Sequence, residues 1–301
     1  MQCRICAENA WEVVAETRDV RFAPQGADYQ IVRCRGCRVM ATQAGSNFAD
    51  PSGHYPAEYG AFSAPAPAAI ERARSARHHA PLLPRVALHR FGWLGDLPPQ
   101  ASRRVLEVGC ASGKVALALM AAKGWSAVGI EPDPGAAQAA RLQGLETHTG
   151  TLDDYAGAGD FDVVLFVHVL EHLSDPLAAL RRARSLLIPG GHVVVALPNA
   201  ESLERRLFGN AWDGWDVPRH LHHFGPATLC GLLERAGLVP GPVRHEWYSL
   251  LARSVGNCRR AQLPHAERGR GWALRVLELP WGFTLAACHT SSAIQVVARV
   301  A

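Results

Sequence analysis

Between residues 103 and 200 the apolar positions come in short unbroken runs, and the stretches between them repeat with helical spacing. Residues 105–108, 127–130, 161–167 and 192–197 are predicted strands, and residues 113–122, 134–142 and 176–187 predicted helices. A further strand should end near Gly150, and Pro189-Gly190-Gly191 should turn the chain into the run at 192–197. Wholly apolar strands alternating with helices predict a parallel sheet, because such strands must be covered on both faces. A helix at 227–236, a strand at 243–248, a long excursion over 249–291 and a final strand at 293–300 complete the pattern.

The flanking segments read differently. In residues 1–45 two strand-like runs, 11–17 and 29–33, lie between Cys3-Arg4-Ile5-Cys6 and Cys34-Arg35-Gly36-Cys37. That is too little apolar material for a core, so the unit needs a staple. Two CxxC pairs 27 residues apart match a four-thiolate zinc knuckle or ribbon, with Cys3, Cys6, Cys34 and Cys37 as ligands. Four thiolates leave no open position, so such a zinc is structural. Residues 46–100 read as a linker rich in Gly, Pro, Ser and Ala, followed by an arginine-rich helical stretch at 70–92 that Pro81 and Pro84 interrupt. Four units result: 1–45, 46–100, a core with a lid at 101–248, and 249–301 with the excursion and final strand.

Composition narrows the picture only a little. The 301 residues suffice for one large domain and an appendage, and 48% hydrophobic content is that of an ordinary globular chain. A net charge of +4 makes no case for a DNA partner, although the arginines from Arg72 to Arg104 keep RNA open. The opening residues are not expected to be a signal peptide, and no uncharged apolar run reaches membrane-spanning length. Residues 272–288 carry Arg275, Glu278 and Pro280 and are expected to form a broken, partly buried helix. Paired CxxC motifs and the lack of a disulfide pattern place the chain in the cytoplasm.

The turn Glu107-Val108-Gly109-Cys110-Ala111-Ser112-Gly113-Lys114 joins the first core strand to its helix. A phosphate-binding P-loop needs four residues between its glycines, and a dinucleotide turn needs a third glycine; neither fits. Gly109, Ala111 and Gly113 leave the main chain bare, and Glu107 adds negative charge that repels pyrophosphate and attracts a cation. S-adenosylmethionine, with a sulfonium, an ammonium and a carboxylate, fits that charge pattern. Glu131, beside Pro132 at the tip of the second core strand, lies 22 residues beyond Gly109, where an acid can accept both ribose hydroxyls. Leu152 and Asp153 follow the third strand and are placed to meet the adenine.

The stretches VLEVGCASG, GIEPD, FDVVLFVHVLEHLSDP and LLIPGGHVVVALPN resemble the class I S-adenosylmethionine-dependent methyltransferases in order and spacing. The resemblance implies an α/β fold: a Rossmann-like seven-stranded sheet with its last strand antiparallel, helices on both faces, and the cofactor at the carboxyl ends of the strands. It covers residues 103–248 and the final strand. It implies cofactor contacts from Glu107, Gly109, Cys110, Ala111, Gly113, Glu131, Pro132, Leu152, Asp153 and His168. A cysteine-rich unit ahead of this core is similar to that of sugar C-methyltransferases, which implies a small-molecule acceptor such as a sugar or natural-product intermediate. Some ribosomal RNA methyltransferases also begin this way, which leaves RNA as the alternative acceptor. The segment Arg219-His220-Leu221-His222-His223-Phe224 is similar to a stretch whose histidine acts as general base. This makes His220, then His223, the candidate bases, with His168 also near the acceptor. In that family an acid precedes the histidine, where this chain has Arg219. Trp212 and Trp215 are expected to wall the acceptor pocket.

Overall fold

The computed structural model describes residues 1–23, 25–51, 53–55, 92–157, 159–247, 249–262 and 272–301. The arginine-rich stretch read as a helix falls outside them, apart from Gly92. Two sheets organise the described residues. The first is a meander of β1 (Trp11–Arg18), β2 (Asp28–Cys34) and β3 (Met40–Ala44), with β4 (Asn47–Phe48) folded back on β3.

The second sheet is built from β5 (Arg104–Val108), β6 (Ser126–Glu131), β7 (Glu146–Thr149), β8 (Phe161–Val167) and β9 (Leu187–Pro198), which pair parallel in the order β9-β8-β5-β6-β7. The helices between them are α1 (Lys114–Lys123), α2 (Pro134–Leu142) and α3 (Pro176–Ser185). Both α2 and α3 begin at Asp-Pro. Asp133 accepts the Ala136 N–H and Asp175 the Ala178 N–H, each such cap contributing about 1 kcal/mol. Successive residues of β8 and β9 feed two different cores. Val164, Phe166, Val193 and Val195 enter one, and Val163, Leu165 and Val194 the other. That alternation is why these strands are apolar without interruption.

Further along come β10 (His222–His223), β11 (Leu238–Pro240), β12 (Arg244–His245) and β13 (Ala293–Val300). β13 runs antiparallel between β9 and β11, so the seven-stranded order with a reversed final strand is present, and β12 adds a short pair at its edge. Of the strand expected at 243–248, β12 alone forms among the described residues, and the sheet's outer strand β11 lies ahead of that range. Pro240 and Pro242 lack the N–H that a continuous ladder needs. The turn expected at Pro189-Gly190-Gly191 lies inside β9, where the register with β8 shifts between Phe161 and Val163 and Gly190 takes a φ of 75°. After α4 (Leu203–Phe208), α5 (Pro226–Arg235) and α6 (Leu251–Gln262), the last helix, α7 (Trp272–Ala287), runs through Pro280 unbroken, against expectation. Buried Glu204 anchors it by accepting from Trp281 Nε1 as well as from Ser249 Oγ and Leu250 N. No helix among the described residues is long and apolar enough to cross a membrane.

The N-terminal unit is not separate from the core. β10 pairs with β3, setting His222 opposite Ala41 and His223 opposite Met40. Tyr29, Ile31 and Met40 share one buried cluster with Trp212, Trp215, Val217 and Leu221. The small sheet thus completes its core with the lid. Arg219, 1% exposed, locks the joint: its guanidinium pairs with Asp19 at 2.6 Å and Asp216 at 2.8 Å, and donates to the His54 carbonyl. Arg219→Met takes the guanidinium away from the Asp19 and Asp216 carboxylates, and urea unfolding should show a loss of about 3–5 kcal/mol. A loss below 1 kcal/mol would mean the joint does not depend on this pair.

Candidate active site

The turn after β5 is left-handed at three positions, with φ of 65° at Gly109, 47° at Ala111 and 78° at Gly113. The two glycines are bare for the protein's own sake. A Cβ on Gly109 would stand 2.6 Å from Val169 Cγ2, and one on Gly113 would stand 2.8 Å from Leu145 Cδ2. Cys110 is buried with its sulfur against Gly129, so its side chain packs beneath the turn. Glu107 does not present its charge to a ligand. It is 4% exposed, accepts the Ala116 N–H in the first turn of α1, and burial pushes its pKa up to about 8.

Glu131 ends β6. One oxygen accepts the Ala111 N–H at 2.8 Å and the other the Asp133 N–H at 2.9 Å, which ties the glycine turn to the tip of the neighbouring strand. A carboxylate has about four lone-pair sites, so two remain for a pair of ribose hydroxyls. The remaining acceptor sites therefore fit the hydroxyl donors of an adenosyl cofactor's sugar. Burial raises the Glu131 pKa, which the two amides oppose. Pro132 and Asp153 are exposed nearby in sequence, whereas Leu152 is buried in the core.

The end of β8 leads into His168-Val169-Leu170-Glu171-His172. His168 is left-handed, with φ 55°, and its ring is 42% exposed. Because Val169 fills the space beside Gly109, this segment is pressed onto the glycine turn. Glu171 is 2% exposed and stands in the middle of the histidines: Oε1 is 3.6 Å from His168 Nδ1 and 4.0 Å from His220 Nε2. His172 packs edge-on to His220, with ring centres 4.6 Å apart. Asp216, on the lid, lies 3.8 Å from His220 Nε2 and supplies the acid that is missing at position 219.

Two expectations are corrected here. His223 is not placed to act as a base. It is 4% exposed, and its Nε2 lies 2.8 Å from Thr42 Oγ1, whose own proton goes to the His220 carbonyl; Nε2 must therefore carry a proton and donate it. Trp212 and Trp215 line a cleft that does not adjoin the glycine turn. Each is 2% exposed, and they pack edge-to-face with centres 5.2 Å apart. That cleft lies between Thr17–Arg21 and the lid and shares no residue with the glycine turn.

The four N-terminal cysteines converge. Their sulfurs all lie within 4.8 Å of one another, with Cys3 to Cys37 at 3.6 Å and Cys6 to Cys34 at 3.5 Å. Both CxxC turns have the same shape: Ala7 donates to the Cys3 carbonyl and Arg38 to that of Cys34, each with positive φ. The spacing fits a tetrahedral ion, whose sulfurs at about 2.3 Å from the centre stand roughly 3.8 Å apart.

A family model of the methyltransferase domain matches residues 76–240, more than half of the chain. The chain belongs to this methyltransferase family. Among its relatives is the ubiquinone biosynthesis O-methyltransferase of Ralstonia nicotianae, 32% identical over 178 residues, which are 54% of this chain and 74% of the relative. The enzyme of the same name from Cereibacter sphaeroides is 34% identical over 155 residues, covering 47% of this chain and 62% of the relative. An S-adenosylmethionine-dependent methyltransferase of Thermotoga maritima shares the fold at a TM-score of 0.50 and 20% identity, over 78% of this chain and 96% of that one. The protein is thus an S-adenosylmethionine-dependent methyltransferase with a Rossmann-like α/β sheet.

In this methyltransferase the residues that sequence reasoning passed over are acids. Glu171 stands inside the quoted stretch FDVVLFVHVLEHLSDP without a role assigned to it, and Asp19 and Asp216 carry no motif. The one signal available for Glu171 was its place between apolar Leu170 and the end of the apolar strand on one side and the helix start at Asp175 on the other, where a charged residue must have a reason to be buried. His222 adds a pH dependence. It is buried, its Nδ1 meets the Leu173 carbonyl at 3.1 Å, and desolvation lowers its pKa to about 4. The unfolded chain takes up a proton near pH 6.5 that the native state refuses, so this stability is whole above pH 6.5 and lost as pH falls towards 4. His222→Asn, which keeps a donor in place of Nδ1, should flatten that dependence by about 1.4 kcal/mol per pH unit. Parallel stability curves for the two proteins between pH 4 and 6.5 would show that His222 is not the group responsible.

Proposed function

We propose that this methyltransferase transfers a methyl group to a hydroxyl oxygen of a small acceptor, such as a sugar or another natural-product intermediate. The observation that carries this reading is the buried Glu171 carboxylate among His168, His172 and His220, pressed through Val169 onto the glycine turn. An oxygen acceptor must lose its proton as it is methylated, and this group of side chains is built to receive and hold one. The relatives are named as O-methyltransferases, which supports oxygen over nitrogen or carbon.

The bound cofactor supplies an electrophilic methyl on its sulfonium. Glu131, with the main chain of residues 109–113, would hold the cofactor. His168, the exposed member of the cluster, takes the acceptor proton. His220 sits behind it and with Glu171 keeps the cluster's charge in place. In the cysteine cluster a Zn²⁺ ion would be structural and would hold the small sheet against the lid.

His168→Ala and His220→Ala should bind the cofactor as the unaltered protein does in calorimetry. Turnover, read as labelled methyl on a panel of hydroxylated acceptors, should fall by about 10²–10⁴-fold. Near-normal turnover in His168→Ala removes its role as base. A product methylated on nitrogen or carbon removes the O-methylation reading.

A further inference from the structure

The Glu171 carboxylate is almost completely buried, and among the described residues no donor stands within hydrogen-bond distance of either oxygen, His168 Nδ1 lying 3.6 Å from Oε1. Burying a lone carboxylate without a counter-charge is strongly unfavourable. His168 Nδ1 faces it at that 3.6 Å, while the two buried-side histidines, His172 and His220, direct their protons elsewhere. His220 Nδ1 lies 2.9 Å from the Gly214 carbonyl, which can only accept, so Nδ1 carries the proton and Nε2 shows Glu171 a lone pair. His172 Nδ1 lies 3.0 Å from the Arg219 carbonyl and 3.2 Å from the Tyr55 hydroxyl, so its proton is likewise directed away and its Nε2 is left as an acceptor. Glu171 Oε1 and the His220 Nε2 lone pair thus face each other from two elements, the turn after β8 and the lid, with His172 beside them.

The distances match that reading. One ligand atom from each of Glu171, His172 and His220 lies within 4.8 Å of the others, and the Glu171 to His220 separation of 4.0 Å is too long for a hydrogen bond. Donors at about 2.1 Å from a shared ion stand roughly 3–4 Å apart. We infer that Glu171, His172 and His220 form a second metal site, separate from the cysteine cluster, that takes a divalent first-row cation. Two imidazoles and a carboxylate suit Mn²⁺, Fe²⁺, Co²⁺ or Zn²⁺, whereas four thiolates select softer or tetrahedral ions. Three protein ligands leave positions open.

The use of the site rests on the proposed O-methylation. A hydroxyl oxygen on an open position is made acidic by the cation, its proton passes to His168, and the oxygen lone pair forms the new O–C bond as the S–C bond breaks. The inferred site thus selects acceptors whose hydroxyl, or pair of adjacent hydroxyls, can ligate a cation.

The test uses the full chain with zinc in its cysteine cluster and Mn²⁺ as probe, because Mn²⁺ competes poorly for four thiolates. Loss of the free-ion signal in electron paramagnetic resonance should show one Mn²⁺ per chain. Glu171→Gln should weaken binding at least 30-fold while cofactor affinity, the check on folding, stays unchanged. Crystals of the unaltered protein soaked in Mn²⁺ should give an anomalous peak between Glu171, His172 and His220, which decides the matter should Glu171→Gln fail to fold. The inference is overturned by no binding of Mn²⁺ or Co²⁺ at millimolar concentration, by equal binding in Glu171→Gln, or by a peak at the cysteines alone. Nitrogen resonances showing both histidines doubly protonated at neutral pH, with metal present, would also overturn it. A bound ion with a product methylated on nitrogen or carbon keeps the site and removes only the O-methylation reading.

Discussion

Cys34→Ser should unfold the N-terminal sheet and release the lid with it. Cys34 is fully buried, the small sheet lacks a core of its own, and its outer strand β3 is completed by β10 of the lid. Ion binding to four thiolates contributes on the order of 10 kcal/mol, comparable with the whole stability of a domain this size. Circular dichroism and limited proteolysis should show the first 50 residues opened, and a strong chelator should reproduce the effect on the unaltered protein. Turnover should vanish as well, because His220 and Asp216 reach the site only while the lid is seated. A melting temperature within a few degrees of the original, in both the variant and the chelated protein, would show that the cysteines do not hold an ion that matters to folding.

Glu131→Ala should weaken cofactor binding by at least about 100-fold in calorimetry. Two charge-assisted hydrogen bonds to the ribose account for roughly 3 kcal/mol or more. The alanine also orphans the Ala111 and Asp133 N–H groups, which loosens the glycine turn itself. Glu131→Gln keeps one acceptor oxygen and should lie between the two. Unchanged affinity in Glu131→Ala would end the ribose assignment and require another anchor for the cofactor.

The central sheet was legible because its instructions are local. The buried strands are apolar at most positions, and each Asp-Pro pair announces a helix start that the structure confirms at Asp133 and Asp175. The cysteine set was legible for the same reason: each CxxC turn is a four-residue event, and the structure brings all four sulfurs together. The glycines were located correctly, but what stands against them was not. Val169 and Leu145 arrive from distant segments, and no property of the turn names them.

The candidate site was harder to read because it is assembled across the fold. Histidines 220, 222 and 223 are adjacent in sequence and look alike, yet β10 pairing with β3 sends His223 to Thr42 while His220 meets Glu171. The tryptophans went to the joint because the small sheet had an apolar face to cover. Patterns of apolar and turn residues determine the sheet, its helices and the thiolate cluster, since those depend on backbone periodicity and short-range geometry. Only the tertiary structure decided which acid faces which histidine, because burial removes water as the default partner and forces each polar group onto whatever the packing brings near.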